Sequence, residues 1–304
     1  MAEEEIQSEG LTQHPYRGRH LTTIDDRIWQ HNTWDEIPWT EEQQSHVDQT
    51  ISLQKSTNPG LSPVLLETHL QQSFSKWDTF YTNHSRWFFR DRNWLQAEFP
   101  QVFDLLRPQI LELGCGAGNT LFPLLRARLA QAKVLDLPAG HIYACDFSSK
   151  AIDLVKTFRE YNPSHASAFV YDLTCSELPL PAESLDCILA VFVLSAIDPL
   201  QLAAVFKRLH QMLKPGGLLL FRDYGRGDLA QLRLKPQRIL NAEQEFYQRG
   251  DGTNVHFFTK EEVESLAQST GFVINQLITD RRVIVNRLRK LTMFRVWQQG
   301  VFQK

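Results

Sequence analysis

The stretch from Ile110 to Thr120 constrains the fold more than any other part of this chain. It reads Ile-Leu-Glu-Leu-Gly-Cys-Gly-Ala-Gly-Asn-Thr: a short apolar strand, three glycines at alternate positions and the start of a helix. A strand, a glycine turn and a helix N-terminus in this order form the cradle with which α/β proteins bind nucleotide-bearing cofactors. We therefore expect a cofactor at this turn, and a glycine-rich turn without a ligand is the alternative.

The spacing of the glycines narrows the cofactor. A dinucleotide fingerprint requires G-x-G-x-x-G, but after Gly114 and Gly116 the third glycine comes one residue early, at Gly118, and Asn119 takes the dinucleotide position. The pattern resembles the first motif of class I S-adenosylmethionine-dependent methyltransferases. Glu112, at the end of the strand, is placed to bind or orient the cationic amino end of that cofactor.

The segments after residue 109 alternate between short apolar runs and helical patterns, which is typical of a doubly wound α/β sheet. Five parallel strands are predicted, at 110–113, 141–146, 166–173, 184–194 and 218–222, followed by an antiparallel pair at 272–285 and 291–302. Class I methyltransferases end in such a pair. The predicted fold is a Rossmann-like, mostly parallel seven-stranded sheet.

The region before residue 100 does not match this sheet. We expect residues 1–25 to be a disordered acidic tail, residues 26–100 an aromatic-rich extension and residues 101–304 the catalytic domain, with a linker at 49–62. Because so many Trp and Phe side chains would be costly to leave in water, the extension should fold onto the catalytic domain or onto the substrate.

Composition excludes several other classes. The acidic N-terminus is unlike a secretory or transit peptide, and no apolar run reaches the length of a membrane span. We expect a cytoplasmic protein, with the nucleus as a second location. The four cysteines lack metal-site spacing and are expected to be buried free thiols, so no metal is predicted.

Further cofactor contacts are predicted at the ends of the following strands. Asp146 can accept hydrogen bonds from ribose hydroxyls and Asp172 from an adenine amino group. Their neighbours Phe147 and Leu173 would contribute to the same pocket, and Phe192 would form its wall beneath the transferred methyl group. The alternatives are a helix cap for Asp146, a turn for Asp172 and core packing for Phe192.

Two groups of residues could bind a substrate. The first contains Arg222, Asp223 and Tyr224 at the end of a central strand; a surface ion pair at a strand end is the alternative. The second contains Phe246, Tyr247 and Arg249, which mix stacking faces with charge as an extruded base requires; an ordinary turn is the alternative. The C-terminal region adds a basic surface for a polyanion, formed by Arg281, Arg282, Arg287, Arg289 and Lys290.

Several separate motifs occur in the order found in one family. They are Trp77-Asp78 with Phe80-Tyr81 and His84, the run from Phe88 to Trp94, the glycine motif, Tyr171 to Thr174, Phe192 to Ala196, Phe221 to Gly225 and Asp251 to Thr253. Together they resemble the tRNA N3-methylcytidine methyltransferases. The run from His31 to Ile37 resembles an N-terminal element of the threonine-tRNA branch, although Thr33 and Glu36 depart from its usual form.

The resemblance implies methylation of cytidine 32 in the anticodon loop of certain tRNAs, with S-adenosylmethionine as donor. Threonine tRNA is the expected substrate, with serine or arginine tRNA as alternatives. It also implies that Trp77, Tyr81, Arg92 and Trp94 lie near the cofactor. A seryl-tRNA synthetase or an accessory subunit is a candidate partner.

Cytosine N3 has an in-plane lone pair, so methyl transfer requires alignment rather than prior deprotonation. The product ring is cationic, and a carboxylate would stabilise this developing charge. We expect Asp223 to have this role, Arg222 to hold a phosphate or orient Asp223, and Tyr224 or Phe246 to receive the base.

Two other functions agree with the cofactor half of the chain. A methyltransferase acting on a small molecule or a protein would share that half but would not need the basic C-terminal strands. A non-catalytic scaffold would retain the fold but lose the cofactor residues, all of which are present here.

Overall fold

A computed structural model describes Arg19, residues 26–84 and residues 88–304. The strands are β1 (Thr33–Asp35), β2 (Gln109–Leu113), β3 (His141–Asp146), β4 (Ala166–Val170), β5 (Leu185–Val191), β6 (Leu213–Tyr224), β7 (Ile239–Asn241), β8 (Phe246–Gln248), β9 (Asn254–His256), β10 (Val273–Asn286) and β11 (Leu291–Gln303). The helices are α1 (Glu41–Thr57), α2 (Pro63–Gln71), α3 (Ser73–His84), α4 (Leu95–Glu98), α5 (Gln101–Asp104), α6 (Leu121–Leu135), α7 (Ser149–Lys156), α8 (Leu202–Met212), α9 (Leu229–Leu232) and α10 (Lys260–Ser269).

The main sheet has the strand order β1-β10-β11-β6-β5-β2-β3-β4. The five strands from β6 to β4 are parallel, and β11 joins β6 in the antiparallel direction. The predicted Rossmann-like fold with an antiparallel C-terminal pair is confirmed. The sheet, however, has eight strands rather than seven.

The sheet is covered by helices on both faces, which explains why its central strands are continuously apolar. On one face, Phe206 of α8 and Phe221 of β6 belong to one buried cluster. On the other face, Phe122 of α6 and Ile152 of α7 belong to a second cluster. The strands turn their carboxyl ends toward the same edge of the sheet, where the glycine turn leaves β2.

The N-terminal extension is more regular than the sequence predicts. The linker predicted at 49–62 is wrong, because α1 continues to Thr57 from a capping box formed by Thr40 and Gln43. The prediction that the extension stands outside the sheet is also wrong: β1 pairs with β10, with Trp34 opposite Val283. Apart from Arg19, the predicted tail at 1–25 lies outside the described residues.

A second, three-stranded sheet forms from β7, β8 and β9. Helix α1 is fixed to it through Gln54, whose amide donates to the carbonyl oxygen of Leu234 at 2.8 Å and accepts from the hydroxyl of Tyr247 at 3.2 Å. Burial raises the pKa of Tyr247 to about 12, so the hydroxyl keeps its proton.

A buried ion cluster joins the extension to the end of the main sheet. Arg282 contacts Asp280 at 2.9 Å, Glu98 at 2.5 Å and Asp35 at 3.3 Å, and Arg222 contacts Asp280 at 2.7 Å. Burial would raise the pKa of Asp280, but the two guanidinium groups outweigh burial and hold that pKa below its usual value. Four segments distant in sequence therefore meet at one set of charges.

Three of the four thiols, at Cys115, Cys145 and Cys187, are free and buried as predicted, whereas the prediction is wrong for Cys175, which is exposed. Among the described residues, no group of three His, Cys, Asp or Glu side chains is arranged to hold a metal ion. None of the described helices has the length and apolar composition to cross a bilayer.

Replacing Arg282 with Met tests the buried ion cluster. The change leaves the carboxylates of Glu98 and Asp280 short of a partner in a dry environment, so we expect the free energy of unfolding to fall by about 3 to 5 kcal/mol. Chemical denaturation measures this loss. Arg287→Met, at an exposed position, should change stability by less than about 0.5 kcal/mol. Equal stability of the two variants would show that the cluster does not hold the extension.

Candidate active site

A cavity of about 900 Å³ opens at the carboxyl ends of the parallel strands. Its walls come from the glycine turn, from the α2–α4 part of the extension, and from the ends of β6 and β11. Eleven of the thirteen predicted cofactor residues line it: Trp77, Tyr81, Arg92, Trp94, Gly114, Gly116, Asp146, Phe147, Asp172, Leu173 and Phe192. The other two, Glu112 and Gly118, do not line it.

The glycine turn requires its glycines for close packing as well as for backbone shape. At Gly116 φ is +54°, and a Cβ would lie 2.6 Å from the Tyr81 hydroxyl. At Gly118 φ is +86°, and a Cβ would lie 2.3 Å from the Phe122 ring. Side chains at either position would push away α3 or break the packing of α6.

Asp146 closes the turn from the neighbouring strand. Its two carboxylate oxygens accept hydrogen bonds from the backbone N–H groups of Gly116 and Ser148, both at 2.8 Å. Burial raises the pKa of Asp146 to about 6, against the effect of these hydrogen bonds. A carboxylate oxygen can accept more than one hydrogen bond, and Asp146 lines the cavity, so it could also accept from ribose hydroxyls.

Glu112 lies beneath the turn and is almost completely buried. Neither of its carboxylate oxygens has a hydrogen-bond partner of good geometry in the structure. Burial raises its pKa to about 7, although the nearby Arg92 guanidinium and weaker contacts with the Thr120 hydroxyl and the Leu121 N–H favour the charged form. A buried carboxylate with only such weak partners is costly, so this side chain would gain from a cationic or hydrogen-bond-donating group.

Helix α3 packs over the glycine turn. Its Asp78 accepts from the Ser148 hydroxyl at 2.5 Å and from the Lys150 N–H at 3.3 Å, at the first turn of α7. Trp77 and Tyr81 on the same helix stack with ring centroids 6.0 Å apart. The extension thus supplies one aromatic wall of the cavity.

The opposite end of the cavity is aromatic and positively charged. The ring of Tyr224 has the Phe192 centroid at 5.2 Å and the guanidinium carbons of Arg249 and Arg295 at 5.1 and 6.0 Å. Trp297 lines the same end. Aromatic rings and guanidinium groups in one pocket suit a planar, electron-rich ring carried on a polyanion.

Asp223 lies behind this wall instead of lining it. The side chain is fully buried, and its oxygens accept from the backbone N–H groups of Ser195 and Tyr224, both at 2.9 Å. Burial raises the pKa of Asp223, while these hydrogen bonds oppose the shift. The carboxylate is therefore one layer of atoms away from the space that a substrate would occupy.

The expectation that Arg222 holds a phosphate or orients Asp223 is contradicted. Its guanidinium is buried in the ion cluster, hydrogen-bonded to Asp280 and Gln299, and it lies 5.6 Å from the Trp94 ring and 4.7 Å from the Trp297 ring. It supports two aromatic walls of the cavity from behind. A surface ion pair, the alternative considered from sequence, is excluded as well.

The second predicted substrate group separates in the structure. Arg249 lines the cavity, but Phe246 and Tyr247 are fully buried in β8 and do not line it. Neither ring can receive a base without unfolding the small sheet. Tyr247 instead packs with Phe257 in a small apolar cluster and donates its hydroxyl hydrogen bond to Gln54 of α1.

The predicted basic surface also divides. The Arg282 guanidinium belongs to the buried ion cluster. The Arg281 guanidinium lies 5.0 Å from the Trp39 ring. The exposed residues are those of the turn between β10 and β11: Arg287, Arg289 and Lys290. Among the five predicted positions, the exposed cations are therefore at the tip of this hairpin, where the Lys290 Nζ also lies 4.6 Å from the Trp29 ring.

Asp172 lines the cavity, as a cofactor contact would, and it also forms the turn that was its alternative role. It lines the cavity, and one of its oxygens accepts from the N–H and the hydroxyl of Thr174 at 2.8 and 2.7 Å. Sequence reasoning missed Arg295, Trp297 and Asn119 as cavity residues. Alternation along the last strand could have indicated the first two, since residues two apart share a face.

The residues present fit S-adenosylmethionine, the cofactor implied by the resemblance. The buried Glu112 carboxylate suits the cationic amino end of its methionine part. Gly114 and Gly116 line the cavity with bare backbone, and Asp146 lines the same space. When bound, the cofactor would supply an electrophilic methyl group on its sulfonium.

Comparisons with known proteins identify the family of the chain. A family model described as a methyltransferase domain matches residues 64–277. The tRNA N(3)-cytidine methyltransferase METTL2 of Danio rerio is 39% identical over 95% of this chain and 89% of its own length. The tRNA(Thr) (cytosine(32)-N(3))-methyltransferase of Saccharomyces cerevisiae is 40% identical over 94% of this chain and 45% of its own length.

Solved structures support the fold. An S-adenosylmethionine-dependent methyltransferase from Methanosarcina mazei has a TM-score of 0.51 and 20% identity, covering 68% of this chain and 97% of its own. The PH0226 protein of Pyrococcus horikoshii has a TM-score of 0.52 and 18% identity, covering 74% and 98%. Fold, cavity and sequence agree: the chain belongs to the tRNA N3-methylcytidine methyltransferase family of S-adenosylmethionine-dependent class I enzymes.

Proposed function

We propose that this tRNA N3-methylcytidine methyltransferase modifies cytidine 32 in the anticodon loop of threonine tRNA. The observation that carries the proposal is a continuous cavity with two chemically different ends. One end is lined by Gly114, Gly116 and Asp146, with Glu112 buried beneath the turn, and the other has Tyr224 near two guanidinium groups. The first end suits the donor and the second a base on a phosphate backbone.

Alignment is the main task of the protein in this reaction. Cytosine N3 carries an in-plane lone pair, so the residues of the cavity would need to align the ring with the donor's methyl group and not to remove a proton first. S-adenosylmethionine would supply that methyl and leave as S-adenosylhomocysteine. Trp94, Phe192 and Trp297 line the cavity and would hold the ring plane.

Asp223 has an electrostatic role in this proposal. The cytosine ring gains positive charge as the bond to the methyl forms, and a carboxylate one layer behind Tyr224 stabilises that charge through a medium of low dielectric. Its hydrogen bond to the Ser195 N–H also fixes the loop beside Phe192. The fixed loop and the charge act on the same face of the pocket.

The β10–β11 hairpin is the proposed contact for the tRNA stem. Since β11 runs antiparallel to β6, its N-terminal part extends past the carboxyl edge of the parallel strands, where the cavity opens. Lys290 is five residues beyond Arg295, about 16 Å along a strand. The tip with Arg287, Arg289 and Lys290 is thus placed to contact phosphates while the base occupies the cavity.

The threonine-tRNA assignment is supported by the yeast relative's printed name and by the position of β1. This strand contains Thr33 and Trp34 of the motif from His31 to Ile37, and it pairs with β10 next to the basic tip. A motif in this position faces the same side as the hairpin. Whether a synthetase or an accessory subunit assists is tested by adding it to the purified protein.

Incubation of the purified protein with total tRNA and labelled donor tests the proposal. We expect label in the threonine isoacceptors at position 32, as N3-methylcytidine, and loss of label after ribonuclease treatment. Label on a protein or small molecule that survives ribonuclease would support the alternative methyltransferase. Absence of cofactor binding by calorimetry would support a non-catalytic scaffold.

The raised pKa of Glu112 predicts pH-dependent cofactor affinity. Ionised Glu112 attracts the cationic end of S-adenosylmethionine, so with a pKa of about 7 the dissociation constant should fall about eightfold from pH 6 to pH 7.5. Calorimetry at each pH measures it.

Glu112→Gln is the control for that pH dependence, since it keeps the shape of the side chain but cannot ionise. Because the folded-state pKa of Glu112 is raised, its contribution to the stability of the free protein is present at low pH and is lost between about pH 4.5 and 7. The variant should lose less stability over that range. An unchanged pH dependence of affinity in Glu112→Gln would remove Glu112 from the donor site.

Asp223→Asn tests the electrostatic role. We expect the single-turnover rate of methyl transfer to fall by about 10- to 100-fold, because the charge on the developing cation is no longer balanced. The dissociation constant for S-adenosylmethionine should stay within about twofold, since Asp223 does not line the donor end. Thermal unfolding checks that the variant is folded. A full rate in a folded variant would contradict the role.

A further inference from the structure

Two phenylalanines are left in water at the mouth of the cavity. Phe88 is 52% exposed and Phe89 is 39% exposed, and both also line the cavity. Large apolar side chains next to a binding pocket are a recurrent sign of an interaction surface. The catalytic proposal gives these two rings no role.

The backbone beneath the two rings is firmly held. The Asn119 side-chain amide donates to the Phe89 carbonyl oxygen at 3.1 Å and to the Asp91 carboxylate at 3.2 Å. The Asn119 carbonyl oxygen accepts from the Arg92 N–H at 2.8 Å, and Asp91 forms an ion pair with Arg126 at 2.8 Å. The segment from Phe89 to Arg92 is therefore tied to the end of the glycine turn, and the Phe89 ring extends from a firmly held backbone.

The rings are also ordered relative to one another. Phe88 lies edge to face with Phe89 at 4.8 Å, with Phe80 at 4.9 Å and with His84 at 4.8 Å between centroids. Phe80 is buried and fixes the base of the group. Arg90 follows directly, is exposed, and makes no ion pair among the described residues.

We propose that Phe88 and Phe89 form a stacking platform for an unpaired nucleobase of the RNA loop, next to the nucleotide whose base enters the cavity. The inference rests on the proposed function. When the target base leaves the loop, its neighbour loses a stacking partner, and an aromatic ring at the cavity mouth replaces it. Arg90 meets the phosphate that joins the two nucleotides.

The platform stacks on the flat face of a base, which every base offers, so it does not read the RNA sequence. It therefore contributes to loop binding without selecting an isoacceptor. Selection would come from elsewhere on the surface. The cofactor's adenine is the other flat ring in the system, and the experiment separates the two.

Phe88→Leu and Phe89→Leu keep apolar area but remove the aromatic faces. The wild-type protein and both variants are titrated with an anticodon stem-loop RNA that carries 2-aminopurine on either side of the target cytidine. We expect quenching of 2-aminopurine fluorescence at one flanking position in the wild type and its loss in the variants. The dissociation constant for RNA should rise about tenfold, while that for S-adenosylmethionine stays within twofold.

Leu135→Ala is the matched control, because Leu135 is 48% exposed at the end of α6 and does not line the cavity. It should leave both affinities unchanged. Phe88→Trp should restore quenching and RNA affinity. Thermal unfolding of each variant confirms folding.

Two results would overturn the platform. Equal weakening of RNA and cofactor binding would mean that the rings cover the cofactor, and unchanged quenching in both variants would mean that no base stacks on them. Failure of the wild type to methylate the RNA would count against the proposed function instead. The binding and fluorescence measurements still decide the platform in that case.

Discussion

The buried cluster of Arg222, Arg282, Asp280, Glu98 and Asp35 is the interaction on which the site depends. It combines charges from β6, β10, β1 and α4, so the extension and the sheet edge are fixed by the same atoms. Replacing such a cluster with apolar side chains can be neutral, but removing one partner is costly. Each charge of the cluster is stabilised by the others. The contact between the extension and the sheet edge is therefore kept or lost as a unit.

Through Arg222, the cluster also reaches the chemistry. The guanidinium lies against Trp94 from the extension and Trp297 from the last strand, and both rings line the cavity. Arg222 does not line the cavity, but it packs between two of its aromatic walls from behind and so fixes the distance between them. The donor end has a comparable link, in which Asp78 attaches α3 to the first turn of α7.

Much of the fold could be predicted from local pattern. Patterns among residues close together in the sequence predict the glycine turn, the strand ending in Asp146 and the antiparallel final pair. The roles of Arg222 and Tyr247 could not be predicted in this way, because partners far along the chain decide their burial: Glu98 and Asp280 for the first, Gln54 for the second. Strand β1 was missed because three residues are too few for a periodic signal.

Strand β1 has a consequence for the behaviour of the protein in solution. Three residues of β1 cover the part of β10 that follows Arg281, and Trp34 packs with Val283 and Val285 in a small apolar cluster. Without β1, that stretch would become an open strand edge flanked by uncovered valines. Such an edge can pair with the same edge of another molecule, so covering this stretch removes one site at which two copies could pair.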